Sequence, residues 1–487
     1  MNQLKDILYK VGLEAVNGDT HISINQIQFD SRKIGRGDLF VAIRGSLADG
    51  HDFIQMALER GAIAVICEEF PQRMSTEATY IKVADSHSAL GTMASNFHGH
   101  PSKNLKLVGI TGTNGKTTVA TLLYQLFTLA GYKVGLISTI KVMVDDHEFP
   151  SHHTTPDVLT LNGHLRSMNA VGVEYCFMEV SSHGIEQKRT EALHFTGAVF
   201  TNLTHDHLDY HKTFAAYRDT KKKLFDQLPK TAFALVNFDD RNAAVMLQNT
   251  KAKKYSYALK TYADYRAQLL ERQFSGQLLK LDGHELWSQL IGDFNAYNLL
   301  AIYGVADLLG LDRMEALKLM SRLETVSGRF QYFISEDNIT AIVDYAHTPD
   351  ALKNVLATIN SLRTGNERII TVVGCGGDRD RTKRPVMGQI ASAMSNQAIF
   401  TSDNPRGELP ATIIAEMEKG VEAQNANKVL AIEDRRQAIK AACSLAQAND
   451  IILIAGKGHE TYQEAQGVRV EFDDLEEVRT ALGSLNK

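Results

Sequence analysis

The sequence is poor in the residues that staple, rigidify or insert. Its 487 residues include four cysteines, nine prolines and one tryptophan. Cys67, Cys176, Cys375 and Cys443 lie far apart with no CxxC spacing. That excludes a disulfide scaffold and reads as reduced thiols in a reducing compartment. Cys375 stands between glycines, but no base is evident beside it, and it reads as a small apolar filler. No apolar run approaches the roughly 18 residues that a membrane helix needs. The start, MNQLKD, has no charged region followed by an apolar stretch, so no secretory signal is read. A cytoplasmic chain without membrane insertion is therefore expected. An excess of positive charge is missing too. Lys plus Arg is 52 against 57 for Asp plus Glu, a formal net charge of −5, which argues against a nucleic-acid partner. Low-complexity tracts and repeats are also absent. With 44% hydrophobic and 22% charged residues, the chain is neither largely disordered, collagen-like nor a coiled coil.

What is present is length and alternation. At roughly 150 residues per domain, the length predicts about three domains. A polar stretch at residues 98–104 reads as a linker, and a second seam falls at Ser327, Gly328 and Arg329. These seams give segments 1–100, 101–330 and 331–487. Short apolar runs predict strands over residues 107–111, 134–138, 175–180, 198–202 and 233–237. The last third repeats the pattern at 339–344, 369–374, 397–401 and 451–455. Between the first two runs, Val119, Leu122, Leu123, Leu126, Phe127 and Ala130 form one helical stripe, with Gly131 as its stop. The fold class is α/β with parallel sheets covered on both faces. Ligands are then expected beyond the carboxyl ends of the strands.

The first central strand runs into residues 112–118 (GTNGKTT) and then the helix. Gly112, Thr113, Asn114, Gly115, Lys116, Thr117 and Thr118 suit a loop whose backbone N–H groups surround phosphate. Lys116 supplies a point charge and Thr117 a hydroxyl for Mg²⁺. Ile110 stands where the GxxxxGK[ST] spacing has glycine, so the loop is a variant. A plain structural turn is the alternative. Glu179 ends an apolar strand, where a carboxylate is costly unless it is paired or metal-bound. The next strand leads into residues 202–211 (NLTHDHLDYH), which hold three histidines and two aspartates in seven residues. A polar surface loop and hard-metal or phosphate chemistry both fit; oxygen donors beside a phosphate loop favour Mg²⁺.

Among Lys221, Lys222 and Lys223, periodicity separates the first. Lys221 lies four residues after Tyr217 and four before Phe225, on the apolar stripe of Phe214, Tyr217, Leu224, Phe225 and Leu228. Lys222 and Lys223 fall off it and are expected to be solvated. A lysine on the buried face either snorkels to water or has its amine neutralised by desolvation. A neutral amine reacts with CO₂ to give a carbamate, an oxygen ligand for a metal.

Residues 112–118, 179–184 (EVSSHG), 202–211, 292–298 (GDFNAYN) and 328–330 (GRF) form an ordered set. It continues with 344–352 (DYAHTPDAL), 374–380 (GCGGDRD), 403–406 (DNPR) and 456–460 (GKGHE). With this set the chain resembles, over nearly its whole length, the Mur ligases, ATP-dependent amide-bond formers of peptidoglycan precursor synthesis. The resemblance is nearest to the branch that adds meso-2,6-diaminopimelate to UDP-N-acetylmuramoyl-L-alanyl-D-glutamate. It implies a smaller N-terminal α/β domain for the UDP-sugar. It also implies a central phosphate-loop ATPase domain and a C-terminal Rossmann-like domain for the amino acid.

The resemblance implies ATP on residues 112–118, with Asn295 and Asn298 on the adenine side and Arg329, Asp344 and His347 closing from the seam. It implies two Mg²⁺ held through Thr117, Glu179, His207 and a carbamylated Lys221; Lys116, Glu179, His207 and Lys221 make up the catalytic set. The uridine contacts implied are Phe29, Ser31, Ser46, Leu47 and Ala48; the muramoyl-dipeptide contacts are Thr154, Thr155, Ser181, Gln187 and Arg189. Diaminopimelate is implied at Arg379, Asp403, Asn404, Pro405, Arg406, Gly456 and Glu460. Diaminopimelate is lysine with an extra distal carboxylate, and an Arg fork pairs a carboxylate bidentately, so Arg406 is expected to set specificity. Glu460 is expected to take the distal ammonium. The implied reaction activates the D-glutamate side chain as an acyl phosphate, which the amine of diaminopimelate attacks. Three small-molecule substrates and a monomer are expected. The alternatives are a lysine-adding ligase of the same branch and a phosphate-loop protein that has lost ligation. A folylpolyglutamate synthase would not need the first domain, with its DSR (30–32) and GDLF (37–40) segments.

Overall fold

In the computed structural model, which describes residues 2–45, 48–151 and 153–487, three large sheets follow one another along the chain. The first has five strands in the order Leu13–Asn17, Thr79–Val83, Ala62–Cys67, Asp38–Val41 and Ile27–Gln28. Only Leu13–Asn17 pairs antiparallel, and one apolar cluster fills each face.

The central sheet has eleven strands. Its parallel middle runs Val134–Ile137, Tyr175–Glu179, Lys106–Thr111, Gly197–Phe200, Phe233–Asn237, Lys253–Ala258 and Tyr265–Gln273. Strands buried on both faces read as unbroken apolar runs, which is why the first five were visible in the sequence and the partly exposed Lys253–Ala258 and Tyr265–Gln273 were not. Helices Lys116–Leu129 and Asp293–Leu308 cover one face; Val158–Ala170 and Phe214–Asp226 cover the other. Antiparallel hairpins extend both edges, through Lys141–Val144 with His147–Pro150 and through Gly276–Leu281 with His284–Ser288. The expectation of purely parallel sheets omitted them.

The third sheet runs Gln331–Ile334, Thr340–Asp344, Ile451–Ala455, Ile369–Val373, Gln397–Phe400 and Val429–Ala431. It is parallel except at Gln331–Ile334 and again carries a cluster on each face. The carboxyl ends of Lys106–Thr111, Tyr175–Glu179 and Thr340–Asp344 supply loops to one cleft.

Two local expectations need refining. Residues 98–104 do link helix Ser86–Phe97 to strand Lys106–Thr111, but they are not solvated throughout. Pro101–Lys103 is a 3₁₀ turn with Pro101 and Ser102 buried; Asn169 donates to the Pro101 carbonyl at 2.9 Å, and the His194 N–H donates to the Ser102 hydroxyl at 2.9 Å. Lys222 is not solvated either. It is buried, its ammonium neutralised by Asp226 at 2.6 Å one helical turn on. Lys223 is exposed and pairs with Glu186 at 2.8 Å. Cys375 is buried and its thiol is pushed up to about 11 by burial, consistent with a filler.

Candidate active site

The phosphate loop is shaped by two glycines. Gly112 and Gly115 have φ of +153° and +87°, and a Cβ at Gly112 would collide with the Thr201 hydroxyl. Lys116 opens its helix and folds back over the loop, donating to the carbonyls of Gly112 at 3.0 Å and Thr113 at 2.8 Å. Lys221 donates to the same Gly112 carbonyl at 2.9 Å. It is 1% exposed, with its ammonium over the Tyr217 ring at 4.8 Å. Burial lowers the pKa of both amines, and in Lys221 the nearby Lys116 charge lowers it further. Periodicity thus placed Lys221 correctly, and the desolvated amine is what a carbamate requires.

Thr117, the next helical residue, donates its hydroxyl to Glu179 Oε2 at 3.0 Å. Glu179, wholly buried, also accepts from the Thr139 N–H at 2.7 Å and the Thr139 hydroxyl at 3.1 Å. A hydroxyl and a carboxylate at the start of a helix form a hard-oxygen pair suited to Mg²⁺. His207 and Asp206 lie beside them, with His207 Nε2 at 3.3 Å from Asp206 Oδ2. Burial drives His207 down to about 3, the Asp206 charge opposing, so its imidazole is a neutral ligand-type donor. Burial would raise Asp206, but His207, His347, Lys383 and Lys116 outweigh it and hold the carboxylate at about 2. Among the described residues no three His, Cys, Asp or Glu side chains converge as a metal cage. The donors present therefore fit Mg²⁺ through Thr117 and Glu179, while the Lys221 amine hydrogen-bonds to the loop rather than to that pair.

Asn295 and Asn298 lie in the first turns of helix Asp293–Leu308. Asn298 donates to Asn295 at 3.0 Å, and its oxygen is close enough to Gly115 that a Cβ there would sit 2.7 Å away. Across the seam, Arg329 donates to the Thr117 hydroxyl at 3.0 Å, its guanidinium 4.4 Å over the Tyr345 ring. Asp344 accepts from the Phe330 N–H at 2.6 Å. Burial pushes Asp344 up to about 6, with Arg329 opposing. His347 is driven down to about 4 by burial and the Lys383 charge, and Lys383 donates to its carbonyl at 2.9 Å.

At the far end, residues 403–406 wrap against residues 456–460. Asn404 donates to Glu460 at 2.7 Å, and a Cβ on Gly456 would press on the Asp403 carboxylate at 2.5 Å. Arg406 takes a left-handed backbone (φ +50°) and donates one guanidinium nitrogen to the Gly377 carbonyl at 2.9 Å. Among the described residues it has no carboxylate within ion-pair distance. The Pro405 carbonyl lies against Gly377, where a Cβ would clash. Arg379 is exposed at the rim.

A single cleft of about 1160 Å³ joins these parts. Its walls include residues 113–118, Glu179, His207, Asn295, Asn298, Arg329, Asp344, His347, Arg379, Asp403, Asn404, Arg406, Gly456 and Glu460. Thr154, Thr155, Ser181, Gln187 and Arg189 line it as well; Arg189 is fixed by the Thr155 carbonyl at 2.6 Å and by Gln187. Gly112, Lys221 and Pro405 sit behind the wall. The uridine set is not brought in. Phe29 is 40% exposed on the first sheet's surface, Ser31 is buried against Met56 at 3.7 Å, and Ala48 is exposed. Ser46 and Leu47 lie outside the described residues. Sequence reading passed over Thr139, Asp350, Lys383 and Lys457. Asp350 accepts from Asn114 at 3.1 Å across the seam.

Family models match three consecutive stretches: "Mur ligase family, catalytic domain" over residues 23–98, "Mur ligase middle domain" over 110–306, and "Mur ligase, glutamate ligase domain" over 328–458. A Cytophaga hutchinsonii UDP-N-acetylmuramoyl-L-alanyl-D-glutamate–2,6-diaminopimelate ligase is 53% identical over 486 residues, covering 100% of both chains. The Bacteroides fragilis protein of the same name is 51% identical over 474 residues, covering 97% of this chain and 98% of its own. A solved structure of a ligase with that name is 33% identical and superimposes with a TM-score of 0.69, covering 100% of this chain and 99% of that one. With the models in chain order and full-length identity above half, the chain belongs to the Mur ligase family.

Proposed function

We propose that this chain joins meso-2,6-diaminopimelate to UDP-N-acetylmuramoyl-L-alanyl-D-glutamate at the expense of ATP, in peptidoglycan precursor synthesis. The reading rests on one observation: the phosphate loop, the Thr117–Glu179 pair and the Asp403, Asn404, Arg406 and Glu460 group face one cleft. In this reading residues 1–100 take the UDP-sugar, through Phe29, Ser31, Ser46, Leu47 and Ala48. Residues 101–330 take ATP and the muramoyl-dipeptide, and residues 331–487 take diaminopimelate. All site residues come from one chain, which acts as a cytoplasmic monomer.

The D-glutamate side-chain carboxylate attacks the γ-phosphorus of ATP, and ADP leaves. The amine of diaminopimelate then attacks the acyl phosphate, and the tetrahedral intermediate expels phosphate. Lys116 and the helix start beneath it stabilise the charge on the transferring phosphoryl group, so most of the catalysis is positioning and electrostatics. Two Mg²⁺, held through Thr117, Glu179, His207 and Lys221 as its carbamate, would neutralise charge on the phosphate oxygens. Closure of the three domains around the substrates would shield the acyl phosphate from water.

Arg406 favours this reading over a lysine-adding ligase. It offers a guanidinium that has no carboxylate partner among the described residues, and lysine would leave it so. The test is phosphate release in the presence of ATP, the UDP-sugar dipeptide and each of a set of amino acids. Release that requires both the dipeptide and diaminopimelate is expected. Release with lysine at equal efficiency would replace the reading with the lysine-adding one, and no release would leave a binding protein.

A further inference from the structure

Lys457 is the most completely buried ammonium near the amino-acid end of the cleft, at 0% exposure. It does not line the cleft; it stands behind the residues that do. Its Nζ donates to Asn404 Oδ1 at 3.0 Å and to Glu460 Oε2 at 3.4 Å, and lies 4.0 Å from Asp403 Oδ1. The Asn404 oxygen also accepts from the Glu464 N–H at 2.9 Å. Those two donors fix which way the Asn404 amide points, and so turn its NH₂ toward Glu460 at 2.7 Å.

The charges around this end can be counted. Asp403 and Glu460 bring two negative charges; Lys457 and Arg406 bring two positive ones. Arg435, packed behind, is neutralised by Asp474 at 2.7 Å, and the neighbouring Tyr345 and Tyr462 phenols are uncharged. Glu464 pairs with Arg469 at 3.1 Å, and Arg379 lies exposed at the rim, where water and salt screen it, so the buried groups at this end balance before any ligand arrives. Burial raises Asp403, but Lys457, Arg435 and Arg406 outweigh it and keep the carboxylate ionised. Burial and the Asp403 charge raise Glu460, which makes it the carboxylate most in need of a further cation.

A balanced, buried site is stabilised by a ligand head that is itself balanced and is penalised by one carrying a single charge. We infer that Lys457 is a positioning residue that makes the cleft selective for a zwitterionic amino-acid head by cancelling one of the two carboxylates and fixing the Asn404 amide between them. The inference rests on the proposed diaminopimelate reaction and names how the site rejects lysine. With Lys457 present, a lone ammonium leaves Arg406 without a partner and the site with an excess positive charge. Without Lys457, the same ammonium would complete a balanced set of Asp403, Glu460 and Arg406. Arg406 supplies attraction for the carboxylate, and Lys457 supplies repulsion against the head that lacks one.

The experiment compares the wild-type chain with Lys457→Gln and Lys457→Met. kcat/KM is measured for meso-diaminopimelate and for lysine, and KM for ATP is measured in parallel. Both variants should lose at least about tenfold of the diaminopimelate-to-lysine preference, with KM for ATP within about twofold of wild type. The ATP readout separates this from general damage to the fold. A preference unchanged in variants that still bind ATP normally would overturn the inference. A second measurement needs no variant: wild type should use both lysine and 2-aminopimelate, which keeps the distal carboxylate but lacks the ammonium, at least about tenfold less well than diaminopimelate. Lysine use within about threefold of diaminopimelate would overturn it. A wild-type chain that ligates no diaminopimelate at all would instead remove the reaction on which the inference stands.

Discussion

Arg329 donates to the Thr117 hydroxyl at 3.0 Å, and that hydroxyl donates in turn to Glu179. One oxygen therefore links the first helix of the phosphate loop to the segment that leads into the third sheet. Thr117→Val keeps the shape and removes the oxygen. kcat for phosphate release should fall about a hundredfold or more, while the thermal midpoint moves little. A valine variant with wild-type kcat would exclude a role for this oxygen in phosphoryl transfer.

Lys221→Ala should abolish ligation, and short carboxylic acids added to the assay should restore part of it by supplying the missing oxygens. The burial of Lys221, which lowers the pKa of its amine, motivates this. Full activity in the variant would remove the carbamate from the mechanism. Partial rescue by acetate or propionate, against none by neutral amides of the same size, is the diagnostic comparison.

Arg406→Ala removes the guanidinium that faces the cleft. kcat/KM for diaminopimelate should fall about 10²–10³-fold, while KM for ATP stays near wild type. An equal loss for both substrates would show that Arg406 serves the fold and not the choice of amino acid.

The carboxyl of Asp344, buried and raised to about 6, gives a pH prediction. Its unfolded value is near 3.8, so between these values the folded chain binds more protons than the unfolded one. Folding stability must then fall as pH rises from the lower value to the higher, and stay reduced above it. Asp344→Asn removes that dependence while keeping an oxygen for the Phe330 N–H. The variant should have the higher thermal midpoint at neutral pH, with the gap closing by about pH 4. A gap independent of pH would contradict the assignment.

The parallel strands were legible because strands buried on both faces leave unbroken apolar runs. Phe233–Asn237 and Ile451–Ala455 match the sequence reading end to end, and the others differ by a residue or two. The hairpin strand Tyr265–Gln273 was not legible. It lies near a sheet edge with much of its length exposed, so its alternation is faint. The helical period separated Lys221 from its neighbours but misjudged Lys222, because a carboxylate one turn away allowed that ammonium to be buried. Thr139 carried no signal at all. It meets Glu179 only because strands Val134–Ile137 and Tyr175–Glu179 are neighbours in the sheet, and a linear sequence does not print adjacency. The DNPR and GKGHE segments were legible as pieces, but the role of Lys457 depends on how deeply they interlock.

Gly328 has φ of +67°, and a Cβ there would collide with the backbone of Gly458 and His459. The chain beside Arg329 is thus seated by Gly458 and His459, far along the sequence from it. A ribosome makes the phosphate loop and its helices long before it makes residues 458 and 459. The nascent chain can fold its first two sheets early, since domains form as they emerge. Arg329 gains its seat against Thr117 only once residues 458 and 459 have been made. A chain made only as far as its first two sheets would carry the phosphate loop without the Arg329 contact on Thr117.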